Sequence, residues 1–263
     1  LLLDRQIRRR HLSAEIILAD QNAYHTYTPT LYEAATTSKE TANYLQLKEI
    51  VTFPIAKILK KTGVKFVADA VESVDLTEGD IHFGSGAKIK FDFLIIALGS
   101  ETHYFGIPGL QENALSLKTF LDAIKIRDKI WNLAAFGKRN IRILIGGGGS
   151  TGVELAGEIQ NWLCALKEEF RDCISQVTIV EAEPTVLPGF SEKVVNVALN
   201  RLKNLGIEVL VSETIESADR EKIYLKSGRA LPYDVLVWTG GVKASSLVGT
   251  MPLKIEKRGR VEV

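Results

Sequence analysis

The chain has 263 residues, of which 46% are hydrophobic and 25% are charged, a composition typical of a globular protein long enough to form two cores. Its formal net charge of +1 gives no indication of nucleic-acid binding. No apolar run approaches the roughly 18 residues of a membrane-spanning helix, and the two cysteines form neither a C-x-x-C pair nor a disulfide framework, which favours a reducing cytoplasm.

The first part of the chain predicts one helix and several strands. The helix runs from Leu1 to about residue 10, and the apolar strand 15–20 ends in an acidic residue. Segments 71–75 and 81–86 then predict a small β-meander with a Ser-Gly turn, and 92–99 predicts a buried strand that ends in glycine.

The middle of the chain contains the most informative motif. Pro108-Gly109 marks an exit from the first domain, and 117–136 predicts a linking helix. The apolar strand 141–145 then opens into a G-x-G-x-x-G motif, formed by Gly147, Gly149 and Gly152, which leads into a long helix over about 151–170. Such glycines allow a tight turn, a close approach to a pyrophosphate and close helix–strand packing.

The next strand, 177–180, ends in Glu181. A carboxylate at this strand tip is placed to accept hydrogen bonds from an adenosine ribose, and it repels a 2′-phosphate, which favours NADH over NADPH. Glu181 lies 34 residues after Gly147, and the long helix explains why this spacing exceeds the usual value of about 20. A glycine-rich turn in another kind of α/β protein is the alternative.

The chain repeats itself. Segments 15–20, 71–75, 81–86 and 92–99 match 176–181, 215–219, 223–228 and 234–241. We therefore expect two dinucleotide-binding halves, the second inserted into the first. Each is an α/β domain of the Rossmann type, with three layers, a parallel sheet and a β-meander. The first copy has no matching glycine loop, so we expect that loop before Leu1. We interpret the chain as a fragment lacking both ends, or as a variant without its first strand and phosphate loop.

The motifs resemble those of the pyridine nucleotide–disulfide oxidoreductase superfamily and, within it, the type II NADH dehydrogenases. The resemblance covers nearly the whole chain and is carried by segments 20–36, 91–102, 104–109, 151–154 and 187–190. It implies an FAD-binding domain over 1–113, an NADH-binding domain over 114–241 and a return toward the first domain over 242–263.

The resemblance also implies the residues that would hold FAD. Asp20 would bind the ribose, Val71 the adenine, and a rigid turn would lie beside the flavin. The strand end would approach the phosphates. The turn is Pro29, Thr30 and Leu31, and the strand end is Ala97, Leu98 and Gly99. The structural alternatives are a strand-end turn for Asp20, a stiffened loop for Pro29 and core packing for 97–99.

On the NADH side, the pyrophosphate would lie on Gly147, Gly149, Ser150, Thr151 and Gly152, with the ribose on Glu181. The resemblance makes Glu154 the candidate catalytic residue, near the nicotinamide and flavin rings. The alternative is a carboxylate that merely benefits from the helix N-terminus. Gly240 and Gly241 would leave room for the nicotinamide, or form a strand-end turn. We expect Trp162 and Trp238 in cores and no metal site.

The implied activity is that of a respiratory NADH:quinone oxidoreductase, in which NADH gives a hydride to FAD and electrons then pass to a quinone. The implied location is the cytoplasm, with peripheral attachment to the inner face of the cell membrane, and a homodimer is left open. A disulfide reductase is disfavoured because no cysteine pair is placed for it.

Two alternatives to this activity are a non-catalytic nucleotide-binding relative and an NADH-dependent ferredoxin or rubredoxin reductase. The first glycine loop and a late Gly-Asp motif are absent from the sequence. We therefore expect this chain to bind NADH better than FAD and to turn over weakly.

Overall fold

The computed structural model describes residues 1–169, 174–256 and 259–262. Residue contacts divide the chain into two compact units. Unit 1 comprises Leu1–Tyr27, Thr52–Glu101 and Lys243–Val263, and unit 2 comprises Thr28–Val51 and Thr102–Val242.

The segment Thr28–Val51 belongs to unit 2, whereas the sequence-based boundaries placed it in the first domain. The physical reason is packing, because Leu31, Ala34 and Leu47 are buried in the main core of unit 2. The assignment of FAD to the first domain and of NADH to the second stays a prediction.

Three helices were predicted from the sequence, at 1–10, 117–136 and about 151–170. They correspond to Leu2–Arg9, Phe120–Ala135 and Ser150–Glu169 in the structure. In the described part of the chain, the helices are α1 (Leu2–Arg9), α2 (Leu31–Ala34), α3 (Tyr44–Val51), α4 (Ile55–Leu59), α5 (Leu110–Asn113), α6 (Phe120–Ala135), α7 (Ser150–Glu169) and α8 (Glu192–Asn204), with 3-10 turns at Thr28–Thr30 and Ser246–Thr250. None of these described helices combines the length and apolarity needed to cross a membrane.

The strands are short in unit 1 and longer at the centre of unit 2. They are β1 (Ile17–Asp20), β2 (Tyr24–Thr26), β3 (Thr52–Pro54), β4 (Lys65–Ala68), β5 (Val71–Asp75), β6 (Asp80–Phe83), β7 (Lys88–Lys90), β8 (Ser100–Thr102), β9 (Leu115–Ser116), β10 (Asn140–Gly146), β11 (Ile174–Val180), β12 (Glu208–Leu210), β13 (Ile215–Ala218), β14 (Lys222–Leu225), β15 (Ala230–Pro232), β16 (Val235–Trp238) and β17 (Val242–Ala244).

Unit 2 is built on a five-stranded parallel sheet with the strand order β12-β11-β10-β16-β9. In its centre, Ile143 on β10 pairs with Val177 on β11 and with Val235 on β16. The carboxyl ends of all these strands therefore lie at one edge of the sheet, where α/β proteins bind their ligands.

The two faces of this sheet belong to two cores, because strand side chains alternate between faces. Ile143 and Ile145 pack with Leu155 and Ile159 of α7. On the opposite face, Leu144 packs with residues of the antiparallel meander β13-β14-β15. These layers, a helical one, a parallel sheet and a β-meander, confirm the predicted α/β fold class for this unit.

Unit 1 contains the other copy of the meander. Strands β5, β6 and β7 form an antiparallel sheet with a register irregularity between Val71 and Ser73, and β13–β14 has the same irregularity between Ile215 and Ser217. The internal repeat therefore corresponds to a repeated structure. Strand β1 pairs with β4 in parallel, and β2 pairs with β3 in antiparallel fashion.

The prediction of a buried strand over 92–99 is wrong. Among the described residues this segment forms no strand, Phe93 is 95% exposed, and Ile95 is 76% exposed. Its repeat partner in unit 2 is β16, which lies hydrogen-bonded beside β10. No described segment of unit 1 repeats the sequence of β10, so 92–99 has no such strand to pair with.

Candidate functional site

The glycine loop connects β10 to α7 at the carboxyl edge of the parallel sheet. Gly147 has a φ of +109°, a conformation that side chains with a Cβ rarely adopt, and its N–H donates to the carbonyl of Val180 at 2.8 Å. The chain can therefore turn sharply between the strand and the helix, as the sequence predicted.

The third glycine of the motif packs the helix against the loop. A Cβ on Gly152 would lie 2.0 Å from the carbonyl oxygen of Gly147 and 2.8 Å from Oγ1 of Thr239. Gly147 in turn meets the backbone of Gly240, whose Cα would lie 2.6 Å from an added Cβ. Positions 147 and 152 therefore admit only glycine without rearrangement of the backbone.

The middle glycine is different. A Cβ on Gly149 would meet nothing within 4 Å, so the loop surface is open there. Ser150 begins α7 and Thr151 follows, which places the unpaired N–H groups of the first helical turn beside this open surface. The arrangement is suited to a phosphate group because those donors and the helix dipole both favour an anion.

Glu181 is buried at 8% exposure and its carboxylate is bonded to backbone on both oxygens. Oε2 accepts from the N–H of Gly148, and Oε1 accepts from the N–H of Glu183 at 2.8 Å. A carboxylate has about four acceptor positions, so it retains capacity for ribose hydroxyls. The bond to Gly148 adds a second role that the sequence did not reveal, since Glu181 also fixes the glycine loop.

A cavity of about 410 Å³ lies next to the loop, within unit 2. The structure brings several predicted site residues together in its wall, namely Pro29, Leu31, Ser150, Thr151, Glu154 and Gly241. The wall also contains residues that were not predicted as site residues: Thr28, Tyr32, Thr102, Leu117, Lys118, Trp238, Thr239 and Val242. Predicted residues of unit 2 outside the wall are Thr30, Gly147, Gly149, Gly152, Glu181 and Gly240.

Electrostatics single out Glu154 in this wall. Its side chain is exposed, and partial desolvation raises the pKa of its carboxyl above the ordinary value. Burial raises the pKa of the neighbouring Tyr32 phenol, and the carboxylates of Glu33, Glu154 and Glu158 raise it further. Glu154 thus has the environment of a group that can hold a proton more readily than a fully solvated glutamate.

Trp162 and Trp238 are both buried, as predicted, at 6% and 8% exposure. Trp238 also reaches the cavity, and the next residue, Thr239, donates its hydroxyl to the carbonyl of Gly147 at 3.1 Å. A signal for this role was available in the sequence, because both residues directly precede the Gly240-Gly241 pair.

The remaining candidates belong to unit 1. Asp20 ends β1, is exposed, and accepts a hydrogen bond from the N–H of Asn22 at 2.8 Å. Val71 begins β5. Ala97, Leu98 and Gly99 are exposed and lie outside any strand, so their predicted position at the end of a buried strand is wrong. Their role toward a ligand stays a prediction.

In the part of the chain that the structure describes, the cavity wall contains no cysteine. Cys164 lies on α7 as an exposed free thiol, and Cys173 lies outside the described residues.

Sequence comparison decides the family. A profile of the pyridine nucleotide-disulphide oxidoreductases matches residues 5–263. The chain belongs to this family. Membership agrees with the observed α/β fold and with the glycine loop at the carboxyl edge of the sheet.

Among curated members of the family, the type II NADH:quinone oxidoreductase of Staphylococcus aureus is 34% identical over 266 residues, which cover 94% of this chain and 62% of that protein. The protein of the same name from Staphylococcus saprophyticus is 32% identical over 260 residues, with the same two coverages. The chain thus spans less than two thirds of the length of these relatives.

Several solved structures share this fold. NDH2 from Plasmodium falciparum, in complex with NADH, superposes with a TM-score of 0.82 at 23% identity, covering 93% of this chain and 54% of that one. The sulfide:quinone oxidoreductase of Aquifex aeolicus superposes with a TM-score of 0.79 at 18% identity, covering 99% of this chain and 60% of that one.

Proposed function

We propose that this chain binds NADH in unit 2 and contributes to an FAD-dependent NADH:quinone oxidoreductase. The observation that carries the proposal is the glycine loop with the buried Glu181 carboxylate on one of its amides, beside a cavity that Glu154 lines. The relatives named above supply the choice of activity.

The loop residues fit the adenosine diphosphate part of NADH. Gly149 leaves space for a pyrophosphate, and the first turn of α7 supplies N–H donors for it. Glu181 would accept the adenosine ribose hydroxyls on its remaining lone pairs. A 2′-phosphate would meet this buried carboxylate, so NADH is favoured over NADPH.

The cavity wall fits the other end of the dinucleotide. Gly241 contributes only backbone to the wall, since the Phe105 ring occupies the place of a Cβ, and a flat ring would pack against the cavity side of that backbone. Glu154 would hold a hydrogen bond to the ligand or retain a proton, since its raised pKa favours the neutral form more than in water. Tyr32 and Leu31 would exclude water from the same space.

For FAD, the fit is partial. By family resemblance, Asp20, Val71 and 97–99 would hold the adenosine and phosphates, and Pro29, Thr30 and Leu31 would lie beside the flavin. The described residues of unit 1 contain the carboxylate but no G-x-G-x-x-G motif. When bound, a flavin supplies a two-electron acceptor for the hydride of a reduced nicotinamide.

Quinone is the proposed acceptor because the relatives named above carry it in their names. Peripheral attachment to a membrane and a homodimer stay predictions, as does a cytoplasmic location.

Calorimetric titration tests the nucleotide part of the proposal. We expect one NADH per chain and at least tenfold weaker binding of NADPH. Binding of neither nucleotide, or tighter binding of NADPH, would contradict it.

Steady-state assays test the acceptor part. With saturating FAD added, we expect NADH oxidation, however slow, with a short-chain quinone and none with a ferredoxin or rubredoxin. The reverse preference would favour the protein-acceptor reductases. NADH binding without oxidation in any assay would favour the non-catalytic relative.

A further inference from the structure

Trp238 occupies a special place at the end of β16. It pairs in register with Gly146, the last residue of β10, and its indole lies directly on two glycines. A Cβ on Gly146 would be 2.5 Å from Cε3 of the indole, and a Cβ on Gly240 would be 2.5 Å from Cη2. The ring is therefore fixed between the start of the glycine loop and the Gly240-Gly241 pair.

The indole also holds a second segment of unit 2 in place. Nε1–H of Trp238 donates to the carbonyl oxygen of His103 at 2.8 Å, and the N–H of His103 donates to the carbonyl of Gly241 at 3.0 Å. The segment that starts at His103 is thus joined to both ends of the short run from Trp238 to Gly241.

Phe105 shows that this segment is constrained. Its φ of +54° lies in the left-handed region, which costs energy for a residue with a Cβ and needs support from its surroundings. Its ring lies on Gly241, where an added Cβ would be 2.6 Å from Cε2, and the centroids of the Phe105 and Trp238 rings are 6.4 Å apart in a T-shaped arrangement. The ring is nonetheless 57% exposed.

Gly241 lines the cavity. The Trp238 indole contacts Gly240, the residue before it, and also binds the carbonyl of His103. We propose that Trp238 is a positioning residue for the nicotinamide end of the dinucleotide, because its indole sets the distance between the Gly240-Gly241 backbone and the His103–Phe105 segment. This inference rests on the proposed function. It concerns a residue that need not touch the reacting atoms.

The test separates the two ends of the ligand. Trp238→Phe keeps an aromatic ring against the glycines but removes the donor to His103, leaving that carbonyl without its partner. By calorimetry, we expect about tenfold weaker NADH binding, whereas ADP-ribose, which lacks the nicotinamide, binds as in the unsubstituted chain.

Trp162→Phe is the matched control. Trp162 is equally buried in unit 2, and its Nε1 has no hydrogen-bond partner among the described residues. Neither ligand should bind differently to this variant. Equal weakening of NADH and ADP-ribose by Trp238→Phe, or no weakening of either, would overturn the inference.

A second variant covers failure of Trp238→Phe to fold, which circular dichroism would reveal. Phe105→Ala changes a largely exposed side chain and removes the ring from Gly241. We expect the same loss for NADH alone, and unchanged NADH binding would again overturn the inference. If the unsubstituted chain binds neither ligand, the proposed function itself fails.

Discussion

Glu181 combines ligand recognition with loop structure in one side chain. It accepts hydrogen bonds from Gly148 and Glu183, and in the proposal it also accepts from the adenosine ribose. A carboxylate in this position is worth more than an exposed one, because its hydrogen bonds are shielded from water.

Removal of this carboxylate should weaken NADH binding strongly. Hydrogen bonds to a charged group are worth about 2 kcal/mol, so Glu181→Ala is expected to weaken binding roughly thirtyfold in a calorimetric titration. The control is Glu183→Ala, which removes an exposed carboxylate two residues away and leaves the backbone donor in place. Equal affinities of these two variants would rule out the assigned role of Glu181.

Glu154 gives a prediction about pH. Partial desolvation raises its pKa in the folded chain, so the folded state binds the proton more tightly than the unfolded state. The resulting contribution to stability is complete below the unfolded pKa and is lost as the pH rises through the folded pKa. Glu154→Gln should therefore raise Tm relative to the unsubstituted chain at about pH 7, and the difference should vanish at about pH 3.5.

Glu183→Gln provides the comparison for this measurement, since it neutralises a carboxylate at an exposed position. The Tm of each variant is measured at both pH values. A Tm difference for Glu154→Gln that is the same at each pH, or larger in acid, would contradict the desolvation of Glu154.

At the scale of elements, the contact between the glycine loop and α7 is the most sensitive. Gly152→Ala would put a methyl group 2.0 Å from the Gly147 carbonyl oxygen, so the loop or the helix must move. We expect a lower Tm and more than tenfold weaker NADH binding, since a displaced loop no longer presents its N–H groups.

Gly157→Ala is the matched substitution in the same helix. The added Cβ would have Leu205 Cδ1 as its nearest atom, at 3.9 Å, an ordinary contact. Alanine favours a helix over glycine by about 0.5–1 kcal/mol, so Tm should stay equal or rise and NADH binding should not change. If both variants lost binding to the same extent, close packing at Gly152 would not be the reason.

The elements also show what could be predicted from sequence. Strand periodicity and the glycine spacing were sufficient for β10, α7 and β11, because β10 pairs with both β11 and β16 and α7 packs on these strands. Segment 92–99 has an equally apolar sequence, yet it forms no strand, since a strand depends on the neighbour with which it pairs. The contacts of Trp238 with His103 were unpredictable for a related reason, as the two residues are 135 positions apart.

In the whole molecule, the two copies of the repeat differ in how their residues are arranged for binding a ligand. In unit 2, the N–H of Gly148 in the glycine loop donates a hydrogen bond to the carboxylate of Glu181, which directly follows β11. In the described residues of unit 1, Asp20 supplies the matching carboxylate, whose Oδ1 accepts from the N–H of Asn22 in the same turn. Segment 92–99, which repeats the sequence of β16, is largely exposed. Among the described residues, unit 2 alone has the arrangement proposed to bind a phosphate.

We therefore expect this chain to bind NADH at least tenfold more tightly than FAD, measured by equilibrium titration of the protein after dialysis. The reason is that unit 2 presents prearranged N–H donors, which reduce the entropic cost of binding. Purification of the chain with one tightly held flavin per molecule, visible as a yellow complex, would contradict this expectation.

The most direct measurement concerns the claim that a pyrophosphate lies over Gly149. Gly149→Asp places a carboxylate in open space just before α7, where aspartate caps a helix well, so Tm should be maintained. Gly249→Asp makes the same change at another open glycine, in unit 1. Calorimetric titration should find NADH binding lost in Gly149→Asp and unchanged in Gly249→Asp; NADH affinity retained by Gly149→Asp would contradict the proposed site.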